Sequence, residues 1–180
     1  MTAQQSIATL AGGCFWCTEA IFKNLKGVIS VMPGYAGGTA EKPTYEQVSS
    51  GKTGHAEAIQ IEFDPTVIPF ERILDVFFAT HDPTTINRQG NDVGENYRSV
   101  VFYHDAAQKR NIEQAIAQLT NDKIFDTPIV TQVVPFTSFF PAEHFHRNYY
   151  ERNRTSPYCV FVIDPKLAKL REKFAPYLKK

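Results

Sequence analysis

Short apolar runs typical of strands alternate with amphipathic helical stripes along this chain of 180 residues. The strand candidates are residues 7–11, 28–32, 55–63, 99–103, 129–136 and 158–163. The clearest helical stripe has apolar side chains at helical spacing, at Phe70, Ile73, Leu74, Phe77 and Phe78. Because strands and helices intermingle throughout, the pattern favours a mixed sheet covered by helices. We therefore predict an α+β fold, a single-domain two-layer α/β sandwich with a ferredoxin-like core and long loops.

Local signals place the ends of the other helices. One helix is expected over residues 14–26, with Gly27 ending it. Asp105 and Gln108 have the spacing of a capping box at the start of a long helix. A terminal helix is expected to begin near Pro165, because proline is favoured in the first helical turn.

Two long stretches, residues 33–54 and 81–98, lack a periodic pattern. Loops of that length in a compact domain are usually functional or disordered. We find no internal repeat, linker or low-complexity tract in the sequence. One domain is therefore expected over residues 1–180, with its core at about 7–174.

Charge and composition exclude several functional classes. Lysine plus arginine equals aspartate plus glutamate, 19 of each, so the absence of net charge argues against a nucleic-acid or anionic-membrane partner. No apolar run approaches the roughly 20 residues that span a bilayer, and residues 1–5 do not resemble a signal peptide. Three cysteines, two of them in a CxxC spacing, favour thiol chemistry in a reducing compartment. We expect a cytoplasmic monomer.

Residues 12–17, GGCFWC, carry the strongest chemical signal. Cys14 at a helix start would face unpaired N–H groups and the positive end of the helix dipole, which favour the nucleophilic thiolate. Cys17 follows at i+3, and such positions lie about 5–6 Å apart, within reach of a disulfide. A lone cysteine is more often a buried small hydrophobe, but the glycines and the second cysteine reverse that preference. The segment predicts a reactive thiol with its own resolving partner, beside the aromatic walls of Phe15 and Trp16.

Glu57 is the next informative residue. In the strand candidate 55–63, Glu57 shares a face with the apolar side chains of Ile59, Ile61 and Phe63. A carboxyl on a core-facing side is desolvated, which raises its pKa and allows it to act as a general acid. The alternative is a glutamate at the strand end that emerges into solvent. The pattern alone leaves both interpretations open.

Other polar and aromatic residues have structural explanations when taken singly. Tyr35, Tyr45 and Tyr97 lie in the two long irregular stretches and are individually more often structural than catalytic. Asp92 follows Gln-Gly-Asn, a sequence typical of turns, where a carboxylate commonly stabilises the turn. Residue chemistry alone thus indicates a CxxC enzyme with a candidate acid, and it does not indicate the substrate.

Zinc is a competing explanation of the CxxC spacing. A four-ligand zinc site usually needs a second close pair of ligands. The remaining cysteine, Cys159, has no such neighbour and is interpreted as a core thiol at the start of a strand. His144 and His146 stand two residues apart and would not share one face of a helix. We therefore expect no metal.

A set of motifs occurs in order from about residue 7 to residue 174, nearly the whole chain. They are GGCFW at 12–16, PGY at 33–35, PTY at 43–45, TGHAE at 53–57, HDP at 81–83, RQGNDVG at 88–94, YRS at 97–99 and PAE at 141–143. In these motifs the chain resembles the peptide methionine sulfoxide reductase family of the A class. That class is specific for the S epimer of the sulfoxide.

The resemblance implies roles for the residues that match its motifs. Cys14 would be the thiolate that attacks the sulfoxide sulfur. Glu57 would protonate the sulfoxide oxygen as it acquires negative charge, which agrees with its place on the apolar face. Tyr45 and Tyr97 would hold that oxygen by hydrogen bonds, as donors do in an oxyanion hole.

The resemblance also implies how substrate is held. Phe15 and Trp16 would form an apolar cup for the methyl group of the substrate. Asp92 would help to organise the site through water or the substrate main chain. The expected substrates are oxidised proteins or peptides and free methionine sulfoxide, and no bound cofactor is expected.

Recycling is where the chain departs from a common pattern of the family. Attack leaves a sulfenic acid on Cys14, a second thiol condenses with it, and thioredoxin or another external dithiol reduces the disulfide. Many members have glycine at the position of Cys17 and place resolving cysteines in a C-terminal tail, whereas residues 174–180 of this chain contain no cysteine. Cys17 is therefore the resolving candidate and Cys159 the second choice. A further departure is the pair Glu95 and Asn96, where a threonine and a glutamine are expected.

Two other functional classes compete with this interpretation. A general dithiol–disulfide oxidoreductase would also use a CxxC motif, but it would leave the TGHAE and RQGNDVG strings without a task. A non-enzymatic sulfoxide-binding or metal-binding protein would not need both a nucleophile and an acid. Turnover of a sulfoxide distinguishes the reductase from both. Activity toward protein disulfides would favour the oxidoreductase, and binding without product, or stoichiometric zinc, would favour the non-enzymatic protein.

Overall fold

The computed structural model describes residues 5–180. Residues 1–4, which carry most of the segment used to predict the absence of a signal peptide, lie outside the described residues. The strands are β1 Ser6–Gly12, β2 Val28–Ala36, β3 Ala56–Phe63, β4 Arg88–Gln89, β5 Asp92–Val93, β6 Ser99–Tyr103, β7 Gln132–Pro135 and β8 Phe139–Pro141. The α-helices are α1 Phe15–Phe22, α2 Tyr45–Ser49, α3 Phe70–Thr80, α4 Ala106–Asn121, α5 Tyr149–Arg152 and α6 Asp164–Phe174. Within these residues, every helix is too short or too polar to cross a membrane.

The main sheet has the strand order β7-β6-β1-β3-β2-β8. Strands β6 and β7 run parallel and the other neighbours run antiparallel, so the sheet is mixed. Its four inner strands, β6-β1-β3-β2, are joined through α1 and α3 in the split βαβ arrangement of a ferredoxin-like core. The predicted α+β single-domain fold is confirmed, whereas the core boundary at about 7–174 stays a prediction.

Helices cover one face of the sheet and build the larger hydrophobic core. Leu10 of β1 and Ile61 of β3 pack there with Phe22 of α1 and Phe77 of α3. The opposite face carries a smaller cluster, which is built from Ala11, Ala36, Ala56, Ala58, Val100 and Phe102. The predicted stripe on α3 is confirmed, because its apolar residues are all buried. The asymmetry of the two faces follows from small alanines on one side and large aliphatic side chains on the other.

The predicted strand at 158–163 is wrong. Residues Cys159–Ile163 form a single π-helical turn that leads directly into α6. The Ser156 hydroxyl accepts a hydrogen bond from the Cys159 N–H at 3.3 Å and starts the turn. Phe161 is 78% exposed, so this apolar run is not buried as a core strand would be. A short apolar run is compatible with either a strand or a helix. Here the run is continuous with α6, which begins at Asp164, and it is helical.

Helix α1 ends earlier than predicted. It stops at Phe22 instead of continuing to residue 26, and Gly27 lies in a later turn with φ of +84°. The Lys26 N–H pairs with the Tyr177 carbonyl at 2.8 Å instead of with its own helix. Contact with the C-terminal segment therefore overrides the local helical signal. The structure also adds β8, which the sequence pattern missed, and α2 inside the stretch 33–54 that was predicted to be irregular.

Candidate active site

The turn from β1 into α1 requires both of its glycines. A Cβ on Gly12 would lie 2.8 Å from Cε2 of the buried Phe77 ring. Gly13 has φ of +89°, and a Cβ there would lie 2.5 Å from Cγ of Gln89. The strand end can therefore pass close to α3 and the β4–β5 hairpin. Cys14 follows at once as the N-cap of α1.

Cys14 and Cys17 form a buried thiol pair at the start of α1. Cys14 is 7% exposed and Cys17 is 1% exposed. The hydrogen bond from Cys14 lowers the pKa of Cys17 to about 7, against the effect of burial. Burial, together with the hydrogen bond to Cys17 and the Glu57 charge, raises the pKa of Cys14 well above its ordinary value. The expectation that the helix start favours a Cys14 thiolate is wrong, because burial raises the pKa of Cys14 and leaves Cys17 as the more acidic thiol of the pair.

Glu57, the second residue of β3, faces this thiol pair. Its side chain is 1% exposed, so the alternative of a solvent-exposed strand end is wrong. Its Oε2 atom accepts a hydrogen bond from the Phe15 N–H at 3.1 Å, which ties the carboxyl to the first residue of α1. Burial raises the pKa of Glu57 to about 8, and the charges of Asp92 and Cys17 act in the same direction. The carboxyl is therefore protonated at neutral pH and can donate a proton.

Asn96 lies beside this carboxyl and was missed as a site residue. The Asn96 side chain is buried, and its interaction with Glu57 lowers the pKa of the acid. Its Nδ2 atom forms no hydrogen bond of ordinary geometry with any of residues 5–180. Glu95, the other departure from the family pattern, is exposed to solvent. Of the two residues that depart from the family pattern, Asn96 thus places its amide against the Glu57 carboxyl, whereas the Glu95 carboxylate lies outside the site.

Tyr45 and Tyr97 come from two of the long connections. Tyr45 is the first residue of α2, and Tyr97 ends the 3₁₀ turn Glu95–Tyr97. Burial raises the pKa of both hydroxyls, and the charges of Glu57, Cys14 and Asp92 add to both shifts. Both phenols therefore lie within electrostatic reach of the acid and the thiol, and both stay protonated as hydrogen-bond donors.

Phe15 and Trp16 occupy different depths of the site. Phe15 is buried, with its ring centre 5.8 Å from Tyr35 and 6.4 Å from Tyr45. Trp16 is partly exposed and stacks on Tyr149, with ring centres 3.6 Å apart and planes 4° from parallel. Trp16 is thus an accessible aromatic wall, whereas Phe15 forms the floor beneath it.

His146 and Glu143 fix the orientation of Trp16. Neither residue was predicted to have a role in the site. The Trp16 Nε1–H donates to His146 Nδ1 at 3.1 Å, and His146 Nε2 lies 3.4 Å from an Oε2 oxygen of Glu143. Glu143 also accepts the Tyr35 hydroxyl at 3.1 Å and the Tyr45 N–H at 3.2 Å. The PAE motif at 141–143 was the signal for this network, but the sequence alone did not indicate its partners.

Asp92 meets the thiol pair through a residue that was also missed. The Tyr158 hydroxyl donates to Asp92 Oδ2 at 2.7 Å and lies 3.7 Å from the Cys17 sulfur. The Tyr158 ring packs edge-on against Trp16, with ring centres 5.7 Å apart. Tyr158 was not predicted as a site residue, because it begins the run 158–163 that was predicted to be a core strand. The structure therefore connects Asp92 to the cysteines through a phenol.

Cys159 is placed differently from the other two cysteines. It is fully buried at the start of the π-helical turn, in the main core. Tyr158, and not Cys159, is the residue of this segment that contacts the Cys17 thiol. Among residues 5–180, no three or more histidine, cysteine, aspartate or glutamate side chains are grouped so that they could hold a metal ion.

Comparisons with known proteins identify the family of this chain. A family model described as peptide methionine sulfoxide reductase matches residues 6–178. The peptide methionine sulfoxide reductase MsrA of Thermus thermophilus is 53% identical over 175 residues, 97% of this chain and 98% of that protein. The MsrA of Sulfolobus acidocaldarius is 52% identical over 168 residues, 93% of this chain and 94% of that protein.

Two solved structures share the fold. Reduced Mxr1 from Saccharomyces cerevisiae has a TM-score of 0.79 at 32% identity, over 88% of this chain and 91% of that one. Mxr1 in complex with Trx2 has a TM-score of 0.57 at 25% identity, over 83% of this chain and 87% of that one. Family model, relatives and fold agree with the motifs of the sequence, and the chain belongs to the peptide methionine sulfoxide reductase family.

Proposed function

We propose that this chain reduces the S epimer of methionine sulfoxide, free or in proteins, to methionine. The observation that carries the proposal is the buried Glu57 carboxyl, which accepts a hydrogen bond from the Phe15 N–H beside the Cys14 nucleophile. Burial raises its pKa to about 8, which favours the neutral acid at pH 7. A sulfoxide oxygen gains negative charge as its sulfur is attacked, so a neutral acid at this point stabilises the transition state. Tyr45 and Tyr97 supply two further hydrogen-bond donors for that oxygen.

The first chemical step uses the charge already present on the thiol pair. The Cys17 thiolate takes the proton of Cys14, and the Cys14 sulfur attacks the sulfoxide sulfur. Glu57 gives its proton to the sulfoxide oxygen, and the resulting hydroxyl is transferred to the Cys14 sulfur. The S–O bond of the substrate breaks, methionine leaves, and Cys14 is oxidised to a sulfenic acid.

The second step forms a disulfide between Cys14 and Cys17. Cys17 supports this assignment because it lies three residues after Cys14 at the start of the same helix, a spacing within reach of a disulfide, and because its thiol is the more acidic of the pair. Thioredoxin or another external dithiol reduces the disulfide, and the complex of the related Mxr1 with Trx2 supports thioredoxin. We place this cycle in the cytoplasm, the compartment that the cysteine usage favours.

A single turnover tests the proposal. Reduced enzyme is mixed with a peptide that carries racemic methionine sulfoxide, without reductant, and products and thiols are counted. We expect loss of the S epimer alone, one methionine per enzyme and the loss of two thiols. Consumption of the R epimer, or no methionine from either epimer, would contradict the proposal.

Two cysteine variants test the resolving residue. In Cys17→Ser, one round of methionine release survives while recycling by thioredoxin stops. Cys159→Ser is the matched control, because it removes the other free thiol and leaves the pair intact. Normal recycling in Cys17→Ser together with failure in Cys159→Ser assigns the resolving role to Cys159 instead.

A further inference from the structure

The Tyr158 hydroxyl lies between a carboxylate and the resolving thiol. It donates its single proton to Asp92 Oδ2 at 2.7 Å, so its oxygen is free to accept a proton from the Cys17 sulfur at 3.7 Å. The three groups come from the β4–β5 hairpin, the segment before the π-helical turn, and α1. Three separate parts of the chain therefore converge on one short hydrogen-bonded path.

We propose that Tyr158 and Asp92 carry away the proton of Cys17 during disulfide formation. The inference rests on the proposed function and on Cys17 as its resolving thiol. In the first step Cys17 has taken the proton of Cys14, so a neutral thiol faces the sulfenic acid. A thiolate is the attacking species in disulfide chemistry, so this proton must leave before the sulfur–sulfur bond forms.

The path moves one proton without creating a charged phenol. Tyr158 passes its own proton to Asp92 and takes the proton of Cys17 in the same event. The Cys17 sulfur then attacks the Cys14 sulfur, the S–O bond of the sulfenic acid breaks, and the disulfide forms. The leaving hydroxide becomes water with a proton from Glu57, which has been replenished from solvent. Asp92 is half-buried and returns its proton to solvent.

The surroundings of the path are consistent with a relay. Burial and the neighbouring negative groups raise the pKa of Tyr158 far above its ordinary value, so the phenol stays neutral throughout. Cys17 is also faced by Lys166 of α6, whose charge lowers the pKa of Cys17, and by Asp92, whose charge raises it. A fixed negative charge on Asp92 disfavours the Cys17 thiolate. Asp92 can therefore promote formation of that thiolate only by accepting the proton that Tyr158 passes on.

Tyr158→Phe is the direct test, because it removes the hydroxyl and keeps the ring that packs against Trp16. Reduced enzyme turns over methionine sulfoxide once in the presence of dimedone, which alkylates sulfenic acids. Dimedone and Cys17 compete for the same sulfenic acid on Cys14. The dimedone concentration that traps half of Cys14 therefore measures the rate of disulfide formation, whichever step limits methionine release.

We expect this half-trapping concentration to fall roughly 10- to 100-fold in Tyr158→Phe, the range for loss of a hydrogen bond to a charged group. Asp92→Asn separates a relay from a simple field effect. Removal of a fixed negative charge alone would help Cys17 to ionise and would raise the half-trapping concentration. Loss of a proton acceptor lowers it instead, and a fall in both variants is the expected result.

A second phenol–carboxylate pair in the chain supplies the control. The Tyr150 hydroxyl donates to Asp164 Oδ1 at 2.6 Å, and neither group is part of the thiol site. Tyr150→Phe is expected to leave the half-trapping concentration unchanged. Wild-type trapping in Tyr158→Phe, or faster disulfide formation in Asp92→Asn, overturns the relay.

The two proposals fail in different ways. If the proposed function is wrong, the unmodified enzyme releases no methionine and consumes no thiols. If Cys17 is not the resolving residue, the disulfide found by peptide mapping does not contain it. Failure of the relay alone leaves methionine release and the Cys14–Cys17 disulfide intact, with unaltered competition by dimedone.

Discussion

The Phe15 N–H and the side chain of Glu57 join the acid to the helix that carries the nucleophile. The N–H is one of the unpaired donors of the first turn of α1, and the 3.1 Å bond to Glu57 satisfies it. The same turn that presents Cys14 therefore fixes the acid. Burial then raises the pKa of Glu57 to about 8 and that of Cys14 well above its ordinary value, while the pKa of Cys17 falls to about 7.

At the residue scale, these values predict a bell-shaped pH profile for single-turnover methionine release. The rate rises as the thiol pair loses its first proton through about pH 7. It falls as Glu57 loses its proton through about pH 8, because the carboxylate can no longer donate. Glu57→Gln is expected to lower the rate roughly 100- to 10,000-fold and to abolish the fall on the alkaline side. Rapid quench between pH 5 and pH 10 measures both effects.

Glu62→Gln is the matched control for this prediction. Glu62 belongs to the same strand, but its carboxylate accepts a hydrogen bond from the Ser30 hydroxyl at the surface. We expect its pH profile to follow that of the unmodified enzyme. An alkaline fall that persists in Glu57→Gln would show that another group titrates there and that Glu57 is not the proton donor.

Single residues were predictable where a local pattern reports burial. Glu57 could be placed on the same face as Ile59 and Ile61 because strand side chains alternate with a period of two, although the pattern left open whether the strand end is buried. Tyr158 and His146 could not, since their importance comes from contacts with Cys17 and Trp16, which are more than a hundred residues away in sequence. No local periodicity records such a distant partner.

At the scale of elements, α1 presents functional groups on successive turns. Glu19 follows the thiol pair and Trp16 along the helix. Its two carboxylate oxygens both accept a hydrogen bond from the Asn148 N–H, with N···O distances of 3.0 Å. Asn148 directly precedes α5, which carries Tyr149 against the Trp16 ring. Glu19 thus holds the segment that forms one wall of the aromatic pocket.

Replacement of Glu19 is predicted to weaken substrate binding more than chemistry. In Glu19→Gln the Asn148 N–H keeps an acceptor oxygen that no longer carries charge, so the contact weakens by about 1–1.5 kcal/mol, the difference between hydrogen bonds to charged and to neutral groups. The segment that bears Tyr149 loosens, so Trp16 is less well oriented while Cys14 and Glu57 keep their places. We expect KM for a methionine sulfoxide peptide to rise about tenfold, with kcat within about twofold.

Glu151→Gln serves as the comparison for Glu19. It also lies next to this segment, on α5, but its carboxylate pairs with Arg154 at the surface. Exposed pairs of this kind contribute little, so its kinetics are expected to be unchanged. A fall of kcat without a rise of KM in Glu19→Gln would contradict a role in holding the pocket wall.

The elements themselves were largely predictable from the sequence. Strand β6 was predicted with its observed bounds, and α3 was visible from its apolar stripe. The run at 158–163 has strand-like composition, yet its residues Cys159–Ile163 are helical. The Ser156 hydroxyl accepts the Cys159 N–H at the start of this turn, and α6 continues directly from its end. The helix predicted over 14–26 was cut short by pairing with the C-terminus. Both errors arise where a distant or following segment overrides local preference.

At the scale of the whole molecule, the antiparallel pairing of β1 and β3 assembles the site. Leu10 pairs with Ile59, and two further residues along each strand bring Gly12 to the level of Glu57. The end of one central strand thus delivers the thiols, and the start of its neighbour delivers the acid. The sequence pattern indicated both strands, and the predicted ferredoxin-like core implies that they are neighbours. It did not indicate their register, because register depends on contacts between segments far apart in the chain.

His81 links this arrangement to the stability of the molecule. It is buried where α3 ends, and its ring nitrogens lie 2.5 Å from the Phe77 carbonyl oxygen and 2.8 Å from the Ser99 hydroxyl of β6. Burial lowers the pKa of His81 from 6.5 to about 4. Because the unfolded chain binds a proton more readily than the folded one, the contribution is complete above pH 6.5 and is lost as the pH falls towards 4.

This linkage predicts that His81 alone removes up to about 3 kcal/mol of the free energy of unfolding between pH 7 and pH 4. In His81→Gln the protein is less stable at pH 7, because the packed ring is lost, but its stability falls less steeply with acid. Urea unfolding at several pH values measures the two slopes. The exposed His144 provides the control, since His144→Gln should keep the slope of the unmodified protein. An equal slope in His81→Gln would mean that the other carboxyls and histidines account for acid unfolding, and that the buried link between α3 and β6 does not sense pH.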